Sequence, residues 1–264
     1  MKYPGRVVKV GEADAVVVGA LNTALSAALV LRGADAIQLD PENPVFGPRM
    51  KHAVKLFQTR HLDAEGQPLK PDGEVGAITW AALFGQQHVP TAKTAADSFL
   101  GQVLKIASAE ERKGIREVPK NSNRGPAVDS YLKSAGVAPG LAWCCAFVYW
   151  CFEQAAEVHR RENPMFKTAG CLAHWNNAAK RGASRIPIAN AVADPSLLRP
   201  GMVFIMDYGG GLGHTGFVER VEGGHIVTVE GNTDASMSRE GGGVYRLTRK
   251  LVSVNKGLID YSGL

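Results

Sequence analysis

Apolar residues recur at helical intervals through the N-terminal third of the chain. Between residues 13 and 31, Val18, Leu21, Leu25, Ala28 and Leu29 fall three or four apart, and Gly33 follows as the expected stop. Pro48 suits the first turn of a second helix, on which Met50, Ala53, Val54 and Phe57 form one stripe. A third, shorter helix is predicted over Ala77–Phe84, after the turn Pro71-Asp72-Gly73. Helices this short gain most of their stability from packing one apolar face on another, so a three-helix bundle is expected over residues 1–88.

The periodicity breaks around Pro90, where small and hydroxylated residues predict a linker over 89–98. Beyond it the pattern changes from helical to alternating. Helices are predicted over Phe99–Lys113, Val128–Ser134, Cys144–Val158 and Cys171–Arg181. Strands separated by glycines are predicted over Met202–Asp207, His214–Val221, His225–Glu230 and Val244–Leu247. Helices followed by antiparallel strands make residues 99–264 an α+β domain, with helices packed on a sheet.

At 264 residues with 45% hydrophobic content, the chain has material for two modest cores. A net charge of +5 favours encounter with polyanions. Basic residues are interleaved with acids and never form a block, which argues against nucleic acid as a partner. No segment approaches the roughly 18 unbroken apolar residues of a membrane span, so no stable membrane insertion is expected. The start, Met1-Lys2-Tyr3-Pro4-Gly5-Arg6, lacks the layout of a signal peptide, and synthesis in the cytoplasm is expected. Cys144, Cys145, Cys151 and Cys171 form no C-x-x-C pair, so free thiols are expected in place of a zinc site or a disulfide framework.

Cys144 carries the chemical interest. It follows Pro139-Gly140 within Leu141-Ala142-Trp143-Cys144-Cys145, at the predicted start of a helix. Unpaired backbone N–H groups and the positive end of the helix dipole stabilise a thiolate there, and can also hold an oxyanion. Residues 144, 147, 148 and 151 share one helical face, whereas Cys145 is rotated by about 100° toward Tyr149 and Phe152. Taken alone, a pair of cysteines at a helix start is usually small apolar packing.

The partner that raises Cys144 above packing is His214. It follows Gly209-Gly210-Gly211-Leu212-Gly213 and opens a strand, with little side-chain bulk to screen it. A three-residue loop at Glu222–Gly224 would set residue 214 opposite 232 and 216 opposite 230, so that His214, Glu230 and Asn232 share a polar face. Phe217, Val221, Val227 and Val229 would then share the apolar one. A two-residue Gly-Gly turn would instead put His214 on the wrong face, and the three-residue loop is therefore the expectation. The other histidines, His52, His61, His88, His159, His174 and His225, have no pairing that spacing supports.

Two resemblances follow from these residues. The stretch Val45-Phe46-Gly47-Pro48-Arg49-Met50-Lys51-His52-Ala53-Val54-Lys55-Leu56-Phe57-Gln58, with Asp72-Gly73-Glu74-Val75-Gly76-Ala77-Ile78-Thr79-Trp80-Ala81-Ala82-Leu83, resembles the peptidoglycan-binding domain that accompanies many wall enzymes. Asn43-Pro44 stands where that family usually has Asp-Gly. The Trp143 to Val148 run, Gly213-His214-Thr215-Gly216 and Val229-Glu230-Gly231-Asn232 are similar, in order and spacing, to the CHAP family of amidohydrolases and peptidases, as is Leu198-Arg199-Pro200-Gly201-Met202-Val203.

The second resemblance implies a papain-like arrangement with Cys144 as nucleophile, His214 as base, and Glu230 and Asn232 as orienting and polarising partners. Cys145 stands where alanine is more usual. Trp143, Glu117 and Asn123 are candidate substrate-binding residues, and solvated surface is the favoured alternative for the loop holding the last two. No metal and no cofactor are implied.

The two resemblances together imply a peptidoglycan hydrolase cutting a wall amide, either an N-acetylmuramoyl-L-alanine amidase or a stem or cross-link endopeptidase, as a phage endolysin or antibacterial effector. Such a protein is expected to be a monomer, to have bacterial peptidoglycan as its partner and to act on the wall in the periplasm or outside the cell after release or secretion; any export or immunity partner is unidentified. A noncatalytic wall-binding protein with a decayed site is the alternative.

Overall fold

The computed structural model describes residues 1–29, 39, 42–238 and 241–264, so the predicted stop at Gly33 lies outside the described residues. The chain forms two compact units. One comprises Met1–Thr91 with Val192–Ser196 and Glu222–Gly224, the other Ala92–Ala191 with Leu197–Val221 and His225–Leu264.

The first unit contains helices α1 (Ala15–Ala28), α2 (Pro48–Arg60) and α3 (Ala77–Phe84). Asp14 starts α1 by accepting hydrogen bonds from the N–H groups of Val16 and Val17, satisfying donors that the first turn leaves open. Pro48 occupies the first turn of α2, where its missing N–H costs nothing. Val18, Leu21 and Leu25 of α1 pack with Ala53, Val54 and Phe57 of α2 and Trp80 of α3 in one apolar cluster. Gln58 is buried on α2 and ties down the turn before α3. Its amide donates to the Glu74 carbonyl at 2.9 Å, and its side-chain oxygen accepts from the Gly73 N–H at 2.9 Å.

The second unit mixes helices with an antiparallel sheet. Its longer helices are α4 (Ser98–Arg112), α5 (Pro126–Ser134), α6 (Cys144–Val158) and α7 (Cys171–Ala178). Its strands, apart from Thr91 and Glu222 at two strand ends, are β1 (Thr91–Ala92), β2 (Ser184–Pro187), β3 (Val203–Gly209), β4 (Leu212–Glu222), β5 (His225–Thr233), β6 (Gly243–Lys250) and β7 (Gly257–Asp260). The sheet runs β2-β7-β3-β4-β5-β6, with β1 off this path. The sequence pattern anticipated the four longest strands and missed β1, which falls in the predicted linker, and β2 and β7, each four residues long.

Phe99, Leu100 and Val103 of α4 and Phe147, Val148 and Phe152 of α6 share a core with Val203, Ile205, Phe217 and Val229 of the sheet. The Phe217 ring lies 6.3 Å from Phe147 and 5.8 Å from Phe152. β3 pairs with β4 so that Phe204 faces Gly216 and Met206 faces His214. Strand alternation therefore puts Phe204, His214 and Gly216 on one face and Val203, Ile205 and Phe217 on the other.

The turn between β4 and β5 differs from expectation. β4 runs through Glu222 and β5 starts at His225, leaving a two-residue Gly223-Gly224 turn with φ of 58° and 88°. Positive φ at both positions is the signature of a tight hairpin turn that glycine adopts without strain. Carried unchanged along the strands, that turn would set 216 opposite 231 and send His214 and Glu230 to opposite faces. Yet a Cβ added at Gly216 would sit 2.7 Å from Glu230 Cγ, and His214 is bonded to Glu230. From turn to contact, β4 takes six steps (222 to 216) and β5 five (225 to 230). One extra residue on β4, the count of a β-bulge, restores the face that the turn alone would lose.

Candidate active site

Cys144 is the first residue of α6, and no side chain caps that helix. The first intrahelical bond runs from the Phe147 N–H to the Trp143 carbonyl at 2.8 Å. The helix start therefore presents its N–H groups and positive dipole end beside the Cys144 sulfur. Trp143 is locked behind it: its indole N–H donates to Glu117 Oε1 at 2.9 Å, and both side chains are buried. Close packing continues at Gly231, where an added Cβ would meet Trp143 Cζ3 at 2.7 Å and Phe147 Cβ at 2.8 Å.

The adjacent cysteines part company, as the helical faces predicted. Cys145 donates to the Thr168 carbonyl at 3.6 Å. Cys144 Sγ lies 3.5 Å from Cys171 Sγ, at the start of α7. All four cysteines are free thiols.

His214 is 1% exposed, and its Nε2 lies 2.7 Å from Glu230 Oε2. Its other ring nitrogen, Nδ1, is buried without a completed hydrogen bond among the described residues. Glu230 is saturated. Thr228 Oγ1 donates to Oε1, Arg249 Nε donates to Oε1 at 2.6 Å, and Arg249 Nη2 donates to Oε2 at 2.7 Å.

These contacts set the protonation states. Burial pushes the Glu230 carboxyl up, but Arg249 and then His214 outweigh it and hold the group at about 2. Burial pulls His214 down, but Cys144 and Glu230 outweigh it and raise the ring to about 9. The pull of Cys144 on the ring exists only when its sulfur is ionised, so thiol and imidazole titrate as a pair, backed by the Glu230 carboxylate.

Cys144 is pushed well above the ordinary thiol value by Cys171 and by burial, while His214 pulls it down. Two thiols in contact do not both ionise, because the second negative charge meets the first in a low-dielectric site. The sulfur contact by itself lowers Cys171 and raises Cys144, and Cys145 and burial push Cys171 back up, but of the two thiols it is Cys144 that His214 acts on. Proton transfer from Cys144 to His214 creates an ion pair that Cys171 has no partner to make among the described residues, and either sulfur can be the donor in the contact between the two thiols.

The remaining candidates fall elsewhere. Asn232 was expected on the polar face with His214 and Glu230. The ladder between β5 and β6 shifts register between Glu230 and Thr233, and Asn232 takes a φ of 57°. It is 1% exposed, and neither amide atom has a hydrogen-bond partner among the described residues, so it makes no hydrogen bond to the histidine. Glu117 and Trp143, expected to meet substrate, bond to each other inside the unit. Asn123 is half-buried with a φ of 53°, and its carbonyl accepts from the Gly140 N–H at 3.1 Å.

Sequence reasoning missed Cys171, Thr228 and Arg249. Strand alternation could have found Thr228, two residues from Glu230 on the same face. Nothing local marks Cys171 or Arg249.

A search of curated proteins and a search of solved structures each found no match. Among family models, the CHAP domain matches residues 136–232. That stretch contains Cys144, Cys171, His214 and Glu230 and ends before Arg249. Together with the α+β unit around it, the match supports a CHAP-family protein and so, in general terms, a cysteine-dependent peptidoglycan hydrolase.

Proposed function

We propose that this chain hydrolyses an amide bond of bacterial peptidoglycan with Cys144 as nucleophile, and that residues 1–88 hold it on the wall polymer. The observation that carries the reading is the buried His214–Glu230 contact of 2.7 Å, with the second ring nitrogen lacking a completed hydrogen bond and the ring coupled to a thiol at a helix start. Nucleophile, base and orienting group are the three roles that acyl transfer requires.

In this mechanism the Cys144 thiolate, paired with the His214 imidazolium, attacks the amide carbonyl. N–H groups of the first turn of α6 stabilise the oxyanion. His214 gives its proton to the departing amine, and a thioester forms on Cys144. His214 then takes a proton from water as the water attacks the thioester, and returns that proton to sulfur when the acid leaves. Glu230 fixes the ring orientation and offsets its charge, while Asn232, which makes no hydrogen bond to the ring, is assigned no step.

The substrate class fits either amide, that between the sugar's lactyl group and the peptide or one within the peptides. The setting proposed is a phage endolysin or an antibacterial effector, acting as a monomer on the wall after release or secretion. Binding by the first unit is tested by sedimentation: residues 1–90 are expected to pellet with purified peptidoglycan. Failure there, with full binding by residues 95–264, contradicts the assignment of wall binding. Clearing of a purified peptidoglycan suspension by the full chain tests hydrolysis. Binding without clearing would favour a wall-binding protein with a decayed site.

A further inference from the structure

We infer that Arg249 is a positioning residue of this site, which acts through Glu230 to keep the carboxylate charged and aimed at His214 in both protonation states of the ring. The inference rests on the hydrolase reading above and extends it beyond residues 136–232, where the family match ends.

Arg249 stands opposite Ile226 on β5, four residues from Glu230. Its side chain reaches along the sheet and grips both carboxylate oxygens at 2.6 and 2.7 Å, with the guanidinium 5.7 Å from the Phe204 ring centroid. Arg249 is 5% exposed and Glu230 fully buried. Arg246, on the same strand, pairs with Glu219 and Glu111 at 2.8 Å, but its side chain is 33% exposed. One strand thus carries a buried two-point clamp and an ordinary partly solvated ion pair.

A buried ion pair is a weak device for stability, since well-packed apolar groups often do as well. Its value here lies in the reaction cycle. His214 alternates between cation and neutral ring as it gives and takes a proton. Whenever the ring is neutral, Glu230 without Arg249 would be a buried anion with no cationic partner, and burial would drive it to take up a proton. A guanidinium stays charged throughout and fixes both oxygens at once. The other titratable groups around the pair are Cys144 of α6 behind His214 and Tyr208 of β3 near Arg249.

The test follows the reactivity of Cys144 toward iodoacetamide against pH, with peptide mapping, in the full-length protein and in Arg249→Met, Arg249→Lys and Arg246→Met. The acid-side inflection is expected to move up by about one pH unit or more in Arg249→Met, as Glu230 becomes protonated within the working range. Arg249→Lys, which keeps the charge and loses the fork, should fall between, and Arg246→Met should keep the inflection of the parent. In a double-mutant cycle, Arg249→Met should add less than about a twofold loss of hydrolysis in a Glu230→Gln background.

An unmoved inflection in folded Arg249→Met, or an equal loss with and without Glu230, overturns the inference. Should Arg249→Met not fold, an inflection in Arg249→Lys equal to that of the parent overturns it instead. Hydrolysis that persists in Cys144→Ala would defeat the hydrolase reading separately, whatever the alkylation profiles show.

Discussion

Cys144→Ala is expected to slow clearing of purified peptidoglycan by about a thousandfold or more, since removing a nucleophile eliminates the covalent route. Binding to the wall should be unchanged, because the first unit has its own core. Cys145→Ala is the sharp comparison. The two sulfurs are neighbours in sequence, but Cys145 is fully buried and directed at the Thr168 carbonyl, while Cys144 meets His214. The second variant should therefore keep activity within about tenfold, the residual loss reflecting a small core cavity. Clearing lost in Cys145→Ala and kept in Cys144→Ala would move the nucleophile by one residue.

His214→Ala should cost about 10²–10⁴-fold in the same assay, the usual worth of a general acid–base. The same residue gives a pH signature. With the ring raised from 6.5 to about 9, the imidazolium should persist through neutral pH, and activity should fall as pH climbs past about 9. Stability follows with a definite sign. A cation whose pKa is higher in the folded state contributes its full stabilisation below pH 6.5 and loses it as pH rises to about 9. Melting temperatures of the parent should decline across that window, and His214→Ala should lack that part of the decline. A parallel decline in both proteins would show that the ring holds no extra proton in the folded state.

How much of this was legible in the sequence depends on whether the determinants were local. Helical periodicity placed α2, α3 and α6 well because three- and four-residue spacing is a property of each segment alone. The same spacing separated Cys144 from Cys145. Alternation put His214 and Glu230 on one face, which the structure shows, but the turn used to justify it was wrong. A Gly223-Gly224 turn is as compatible with two glycines as a three-residue loop, and an extra residue inside β4 leaves no mark in composition. Asn232 carries a feature that alternation does not foresee: the ladder with β6 shifts register between Glu230 and Thr233, and Asn232 takes a positive φ there.

The rest was hidden because it is made by distant chain segments. β7 is four residues ending in Asp260, too short for a periodic signal, and exists because β2 and β3 pair on either side of it. Cys171 comes to Cys144 across 27 positions, through the placement of α7. Arg249 reads like any other arginine on a strand whose neighbouring arginine, Arg246, makes a partly solvated pair. Only the fold distinguishes the two.

The central claim is that Cys144 cuts an amide of the wall, and the chemistry of the released fragments tests it most directly. Purified peptidoglycan would be digested with the full-length protein and with Cys144→Ala, and the soluble products analysed by mass spectrometry and by assays for new amines and for reducing sugar ends. The account predicts fragments carrying one new amine and one new carboxyl from a single class of amide, no gain in reducing ends, and no such fragments from Cys144→Ala. Reducing ends in place of amines, or equal amine release by Cys144→Ala, would contradict it.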